Sequence, residues 1–222
     1  MKPILFNTDM VRAFLEGRKT CTRRVIKPKY RDGEYGFQVI TRMDGSYVRV
    51  EIVDEYENEV RFLNEPYHPG DILYVRETWQ RTTNGMYIYR ADINNRGSSA
   101  YYNEYGKTDG GWRPSIHMPK KAARIFLRVT DVRVERLQDI TDEQATAEGM
   151  RGFFLGMGES GYAVRADSKT FYDGPIGAFA SLWNSTIKTN DRDTYGWYAN
   201  PWVWVIEFER ISKAEALGGG AE

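Results

Sequence analysis

Two long strand-like runs limit what this chain can fold into. In "ARIFLRVTDVRVERL", Ala123 to Leu137, and "PWVWVIEFERI", Pro201 to Ile211, apolar residues alternate with polar ones or form short unbroken stretches, as in strands buried on one or both faces. The apolar phase of the first run is not constant, which predicts a bend or a bulge within it. Helical periodicity elsewhere is confined to short stretches. The expected class is therefore α+β, a single domain on a curved or barrel-like mixed sheet flanked by short helices.

The remaining segments fit around that sheet. Asn7 or Thr8 caps a helix with Met10, Val11, Phe14 and Leu15 on its apolar side, and Gly17 stops it. Thr20 to Ile26 reads as a strand, with Thr20, Thr22 and Arg24 on one side and Cys21, Arg23 and Val25 on the other. Residues 30–65 read as polar hairpins with a turn at Asp44-Gly45, and "HPGDILYVRETW" as a turn opening a strand. Residues 92–115 read as a long surface loop, expected to be mobile over 92–111. "ITDEQATAEGM" is a short helix with a Thr141–Gln144 capping box and Gly149 as its stop. "GAFASLWNSTI" is an amphipathic helix through Phe179, Leu182 and Trp183, and residues 213–222 are expected as a flexible tail after a domain spanning 1–212.

Composition excludes several functions. Lys plus Arg and Asp plus Glu each number 31, so no global field draws the chain to nucleic acid, and phosphate affinity must come from local clustering. No signal peptide or membrane-spanning run is expected, and one cysteine fits a reducing cytoplasm. Two distant histidines and one cysteine lack zinc spacing, so neither a metal nor a cofactor is expected.

Three local features exceed what a plain core needs. The stretch "EGRKTCTRRVIKP", Glu16 to Pro28, gathers Arg18, Lys19, Arg23 and Arg24 among hydroxyls where a helix gives way to a strand. Most charge runs are solvated faces, but a strand interior is a costly place for a decorative arginine pair. Glu77 shares an inward strand face with Leu73, Val75 and Trp79, so it must pair with a cation or line a cleft. Glu148 ends a helix just before Gly149, where a negative charge opposes the helix dipole at about 0.3–1 kcal/mol when exposed. That position favours a carboxyl group suited to proton transfer.

These residues carry a resemblance. "GRKTCTRRVI" resembles the G-R-K-T-x-T-x-R signature of the ASCH family, relatives of the PUA RNA-binding domain. "PGDILYV", "LQDITDEQATAEGM" and "NPWVWVIEFERI" are similar to that family's strand after a Gly-Asp turn, its glutamate-ended helix and its closing strand. The chain as a whole resembles ASCH-like proteins of phages and prophages, with insertions at about 30–65, 85–115 and 151–175. The resemblance implies a PUA-like barrel with helices around it and a cleft for a nucleoside, nucleotide or RNA. It is also similar in motif to 4-acetylcytidine amidohydrolases, which implies catalytic roles for Lys19, Thr22 and Glu148. Arg24 then takes the signature's final arginine, and Arg23 stands where an apolar residue is usual. Arg18, Arg23, Arg24 and Glu77 are the residues expected to contact a nucleotide or RNA.

The trio has a chemical rationale. A threonine hydroxyl needs a base to become a nucleophile, and a lysine among other cations in a partly buried site can serve. A glutamate can carry a proton to the leaving amine. Strict alternation sets Lys19 opposite Thr22, but Lys19 lies at the bend before alternation begins. Two other classes use the same residues differently: a non-catalytic reader of RNA or a modified base, and a phage assembly protein working through its inserted hairpins.

Overall fold

The computed structural model describes residues 1–43, 47–93, 110–156, 158–165 and 168–218. In chain order the elements are β1 (Lys2–Leu5), α1 (Thr8–Leu15), β2 (Cys21–Val25), β3 (Gly36–Thr41), β4 (Tyr47–Val53), β5 (Glu59–Leu63), β6 (Ile72–Arg76), β7 (Trp79–Arg81) and β8 (Tyr87–Tyr89). Then come β9 (Phe126–Arg136), α2 (Asp142–Ala147), β10 (Arg151–Gly156), β11 (Glu159–Ala163), α3 (Pro175–Thr186), α4 (Arg192–Tyr195), β12 (Trp202–Ile211) and α5 (Lys213–Ala216). The class is α+β, and none of the described helices is long and apolar enough to cross a membrane.

The two alternating runs are neighbours. A five-stranded sheet runs β1-β6-β9-β12-β2, with β1 parallel to β6 and every other pair antiparallel. Glu207 pairs with Asp131 and Phe208 with Val129, which leaves Thr130 as the extra residue of a bulge in β9. This is the bend the broken apolar phase predicted. Trp204, Ile206 and Phe208 enter one core with Phe6, Phe14, Leu73 and Leu127. Val203 and Val205 enter another with Leu137, Met150, Phe179 and Trp183 on the opposite face. Burial on both faces explains why this strand is apolar nearly throughout.

The outer strands β1 and β2 are not joined by a ladder. Arg24 Nη2, on β2, donates to Leu5 O, on β1, at 2.7 Å and bridges the two edges of the curved sheet. β1 itself was not expected from the sequence. Its four residues include Pro3, which an edge strand tolerates.

Two helices position the site. The Asn7 side chain accepts from Met10 N–H at the start of α1, and Met10, Val11, Ala13 and Phe14 are buried. The Thr141–Gln144 capping box starts α2, whose C-cap is Glu148. Gly149 follows with φ +115°, and a Cβ placed there would lie 2.7 Å from Ala13 Cβ, so the end of α2 is pressed against α1.

The hairpins expected over 30–65 form the antiparallel sheet β3-β4-β5, while their turn at Asp44-Gly45 lies outside the described residues. Most of the 92–111 loop also lies outside them, at 94–109. The segment 151–175 contributes the β10-β11 hairpin. One expectation is corrected. Lys213–Ala216, read as the start of a flexible tail, form a helical turn, because Ser212 and Glu215 make a capping box and Ala216 is buried.

Candidate functional site

The junction after α1 meets the end of α2. Lys19 Nζ donates to Glu148 Oε2 at 2.6 Å, to Cys21 O at 2.7 Å and to Glu148 O at 3.2 Å. The ammonium also lies 5.5 Å from the centre of the Phe6 ring. Both Lys19 and Glu148 are buried. Lys19 supplies the positive charge that offsets the unfavourable dipole position of Glu148.

Arg23, on β2, extends this cluster. Its Nη2 donates to Gln144 Oε1 at 2.7 Å and Glu135 Oε2 at 3.0 Å, and its Nη1 stands 3.6 Å from Glu148 Oε1. Alternation along β2 is as expected: Thr22 pairs with Ile206 on one core's side and Arg23 with Val205 on the other's. Arg23 Nε and Nη1, Glu148 Oε1 and Thr22 Oγ1 are all buried without a hydrogen-bond partner among the described residues. Such groups cost about 1–3 kcal/mol each when left unmet.

Three of these orphaned atoms belong to side chains that line a cavity of about 130 Å³. Arg23, Arg24 and Glu148 are its polar walls, and Met10, Phe179, Leu182 and Trp183 are apolar ones. The volume exceeds the roughly 10–15 Å³ that a single water needs by enough for a small planar group. The Phe179 ring lies 6.0 Å from the Arg23 guanidinium carbon.

The other predicted residues are distributed differently. Thr22 is fully buried, does not line the cavity, and makes no hydrogen bond to Lys19. Arg24 lines the cavity while donating to Leu5 O, and burial pulls its guanidinium below its ordinary pKa. Arg18 is absent from the cavity wall. It holds the end of α2 by donating to Gly149 O and pairs with Glu16 Oε2 at 2.8 Å. Glu77 faces inward as alternation required, but Arg124 takes both its oxygens, at 2.8 and 3.0 Å. Burial raises the Glu77 pKa and the Arg124 hydrogen bonds oppose the rise. Its role is a structural ion pair apart from the trio.

Sequence reasoning missed Gln144 and Glu135 as the anchors of Arg23, and Phe179 and Trp183 as cavity walls. Gln144 was legible only as a capping residue. Phe179 and Trp183 were legible as the apolar side of a helix, and their spacing is the same whether that side meets a core or a cavity. None of the family models, curated proteins and solved structures compared with the chain matches it.

Proposed function

We propose that this is an ASCH-like protein that takes a nucleoside or modified nucleobase into the cavity beside Arg23 and Glu148, and hydrolyses an acyl amide on its exocyclic amine. One observation carries the reading. Glu148 Oε1, an acceptor without a hydrogen bond, stands 3.6 Å from Arg23 Nη1, and that Nη1 and the neighbouring Nε also donate no hydrogen bond; both side chains line the cavity with Phe179 and Trp183. An exocyclic N–H next to a ring nitrogen or carbonyl presents the complementary pair, and a base's faces suit apolar walls. The curved sheet whose edges Arg24 bridges supports a PUA-like barrel.

In the proposed reaction a proton passes from Lys19 Nζ to Glu148 Oε2 across their 2.6 Å contact, giving an amine and a carboxylic acid. The amine takes the Thr22 hydroxyl proton as Oγ1 attacks the acyl carbon. The Glu148 carboxyl protonates the departing nitrogen, the C–N bond breaks, and the acyl group remains on Thr22 as an ester for water to hydrolyse. Thr22 Oγ1 makes no hydrogen bond to Lys19 and lies on the side of β2 away from Arg23, so the reaction requires Thr22 to move toward the cavity.

The sealed position of Thr22 favours a second reading, a non-catalytic reader of RNA or a modified base. Calorimetric titration with nucleosides and their N-acyl forms tests both. Binding with turnover supports the hydrolase, binding without turnover the reader, and no binding by any of them removes the nucleobase reading.

A further inference from the structure

We propose that the cavity is the first station on a track for single-stranded nucleic acid that passes around α3. The proposal rests on the nucleobase reading above and names the larger ligand to which the base belongs. Each residue of a helix turns by about 100° from the last, so side chains three and four apart share a strip. Three consecutive strips of α3 face three cavities. Phe179, Leu182, Trp183 and Thr186 face the base cavity. One strip further, Ala178, Ser181 and Ser185 join Leu182 along a second cavity of about 310 Å³. Beyond it, Ala180 and Asn184 join Ser181 and Ser185 along a third of about 620 Å³. Leu182 is shared by the first two, and Ser181, Ser185 and Tyr172 by the last two, so the three are contiguous.

The chemistry along the path alternates as a strand does. The second cavity sets the cations Arg165 and Lys169 with the hydroxyls of Ser181 and Ser185, and Asp9 is the one carboxylate among its described lining residues, 3.6 Å from Arg165. Cations and hydroxyls are the groups that hold phosphate oxygens. The third cavity adds Arg192 and the rings of Trp197 and Tyr198, and Tyr198 is 91% exposed. An exposed ring beside a cation is a stacking platform for an unpaired base. The whole chain is balanced at 31 charges of each sign, yet among the described residues the walls of the second and third cavities carry three cations to one acid. An acidic peptide would satisfy the charge but not the Arg23–Glu148 edge, and a duplex keeps its bases out of a cavity this small.

Fluorescence anisotropy with labelled RNA and DNA single strands, from mononucleotide to octanucleotide and over a salt series, tests the track on the full chain. The expected result is affinity that rises with length and falls with salt. Arg165→Ala with Lys169→Ala lowers the slope of log affinity against log salt by about 0.7 for each phosphate that is no longer neutralised. Tyr198→Ala weakens octanucleotide binding about 5- to 150-fold and leaves nucleoside binding unchanged. These three side chains are exposed, so the variants fold. Nucleoside binding without any gain from length overturns the track and leaves the cavity reading standing, as do variants that bind like the parent chain. Failure of nucleoside and strand alike overturns both. Tighter binding of duplex than of single strand also overturns the track.

Discussion

All three protons of the Lys19 ammonium are directed within the protein, and two of their acceptors, Oε2 and the main-chain O, belong to Glu148. The two residues come from separate segments, 129 positions apart, and meet because the end of α2 packs on the end of α1. Arg23, on β2, stands 3.6 Å from the second oxygen of the same carboxylate. A buried pair of this kind is costly to break on one side, whatever its role in chemistry.

Glu148→Gln should therefore lower stability by about 3–5 kcal/mol rather than relieve the helix dipole, because it strands a buried ammonium. Lys19→Met should cost a similar amount. The double variant Lys19→Met with Glu148→Leu should recover most of that loss while remaining inactive. Urea midpoints of the three variants check the claim, and additive losses in the double variant would contradict it.

Gly149→Ala should destabilise by more than about 1 kcal/mol, from the positive φ alone. The new methyl also meets Ala13, so Ala13→Gly should rescue part of the collision and none of the backbone strain. Thermal unfolding of the single and double variants measures the coupling.

Arg24→Ala should weaken binding of a nucleotide, and binding by the parent chain should weaken as salt is added. The same change should lower stability by about 1 kcal/mol, since Leu5 O loses its donor and the edges of the sheet lose their bridge. Isothermal titration at two salt concentrations, beside a urea melt, separates the two effects.

Cys21 should resist thiol reagents at neutral pH. Burial, and secondarily the charge of Glu148, push its pKa from 9.0 up to about 12, and the thiolate is the reactive form. A group whose pKa is raised by folding contributes stability that is fully present below its unfolded value. The contribution from Cys21 is thus intact below pH 9 and is lost as the pH climbs toward 12. Iodoacetamide labelling that tracks unfolding at pH 7 supports this, and rapid labelling of the folded chain would contradict it.

The sequence was most informative where a residue broke a local rule. Glu148 at the wrong end of a helix and Arg23 within a strand both fall in the buried ionic cluster with Lys19. Alternation also placed Glu77 inward, and a buried carboxylate needs a cation, but no local pattern names Arg124 as that cation. Pairings such as Arg23 with Glu135 span 112 positions and depend on strand register, which is set only when β9, β12 and β2 assemble. β1 was invisible because four residues with a proline carry too little period to read. Arg18 has a role that local pattern did not show. It looked like part of an anion site, and its position beside the end of α2 makes it a clasp for Gly149.

The central claim is that Lys19, Thr22 and Glu148 act on an acylated base held beside Arg23. Chromatographic assay of N-acylated nucleosides incubated with the parent chain and with Thr22→Ala tests it most directly. The account predicts release of free nucleoside and carboxylic acid by the parent chain, at least about 10²-fold above Thr22→Ala. Release at equal rates by both chains, or by neither, would contradict it.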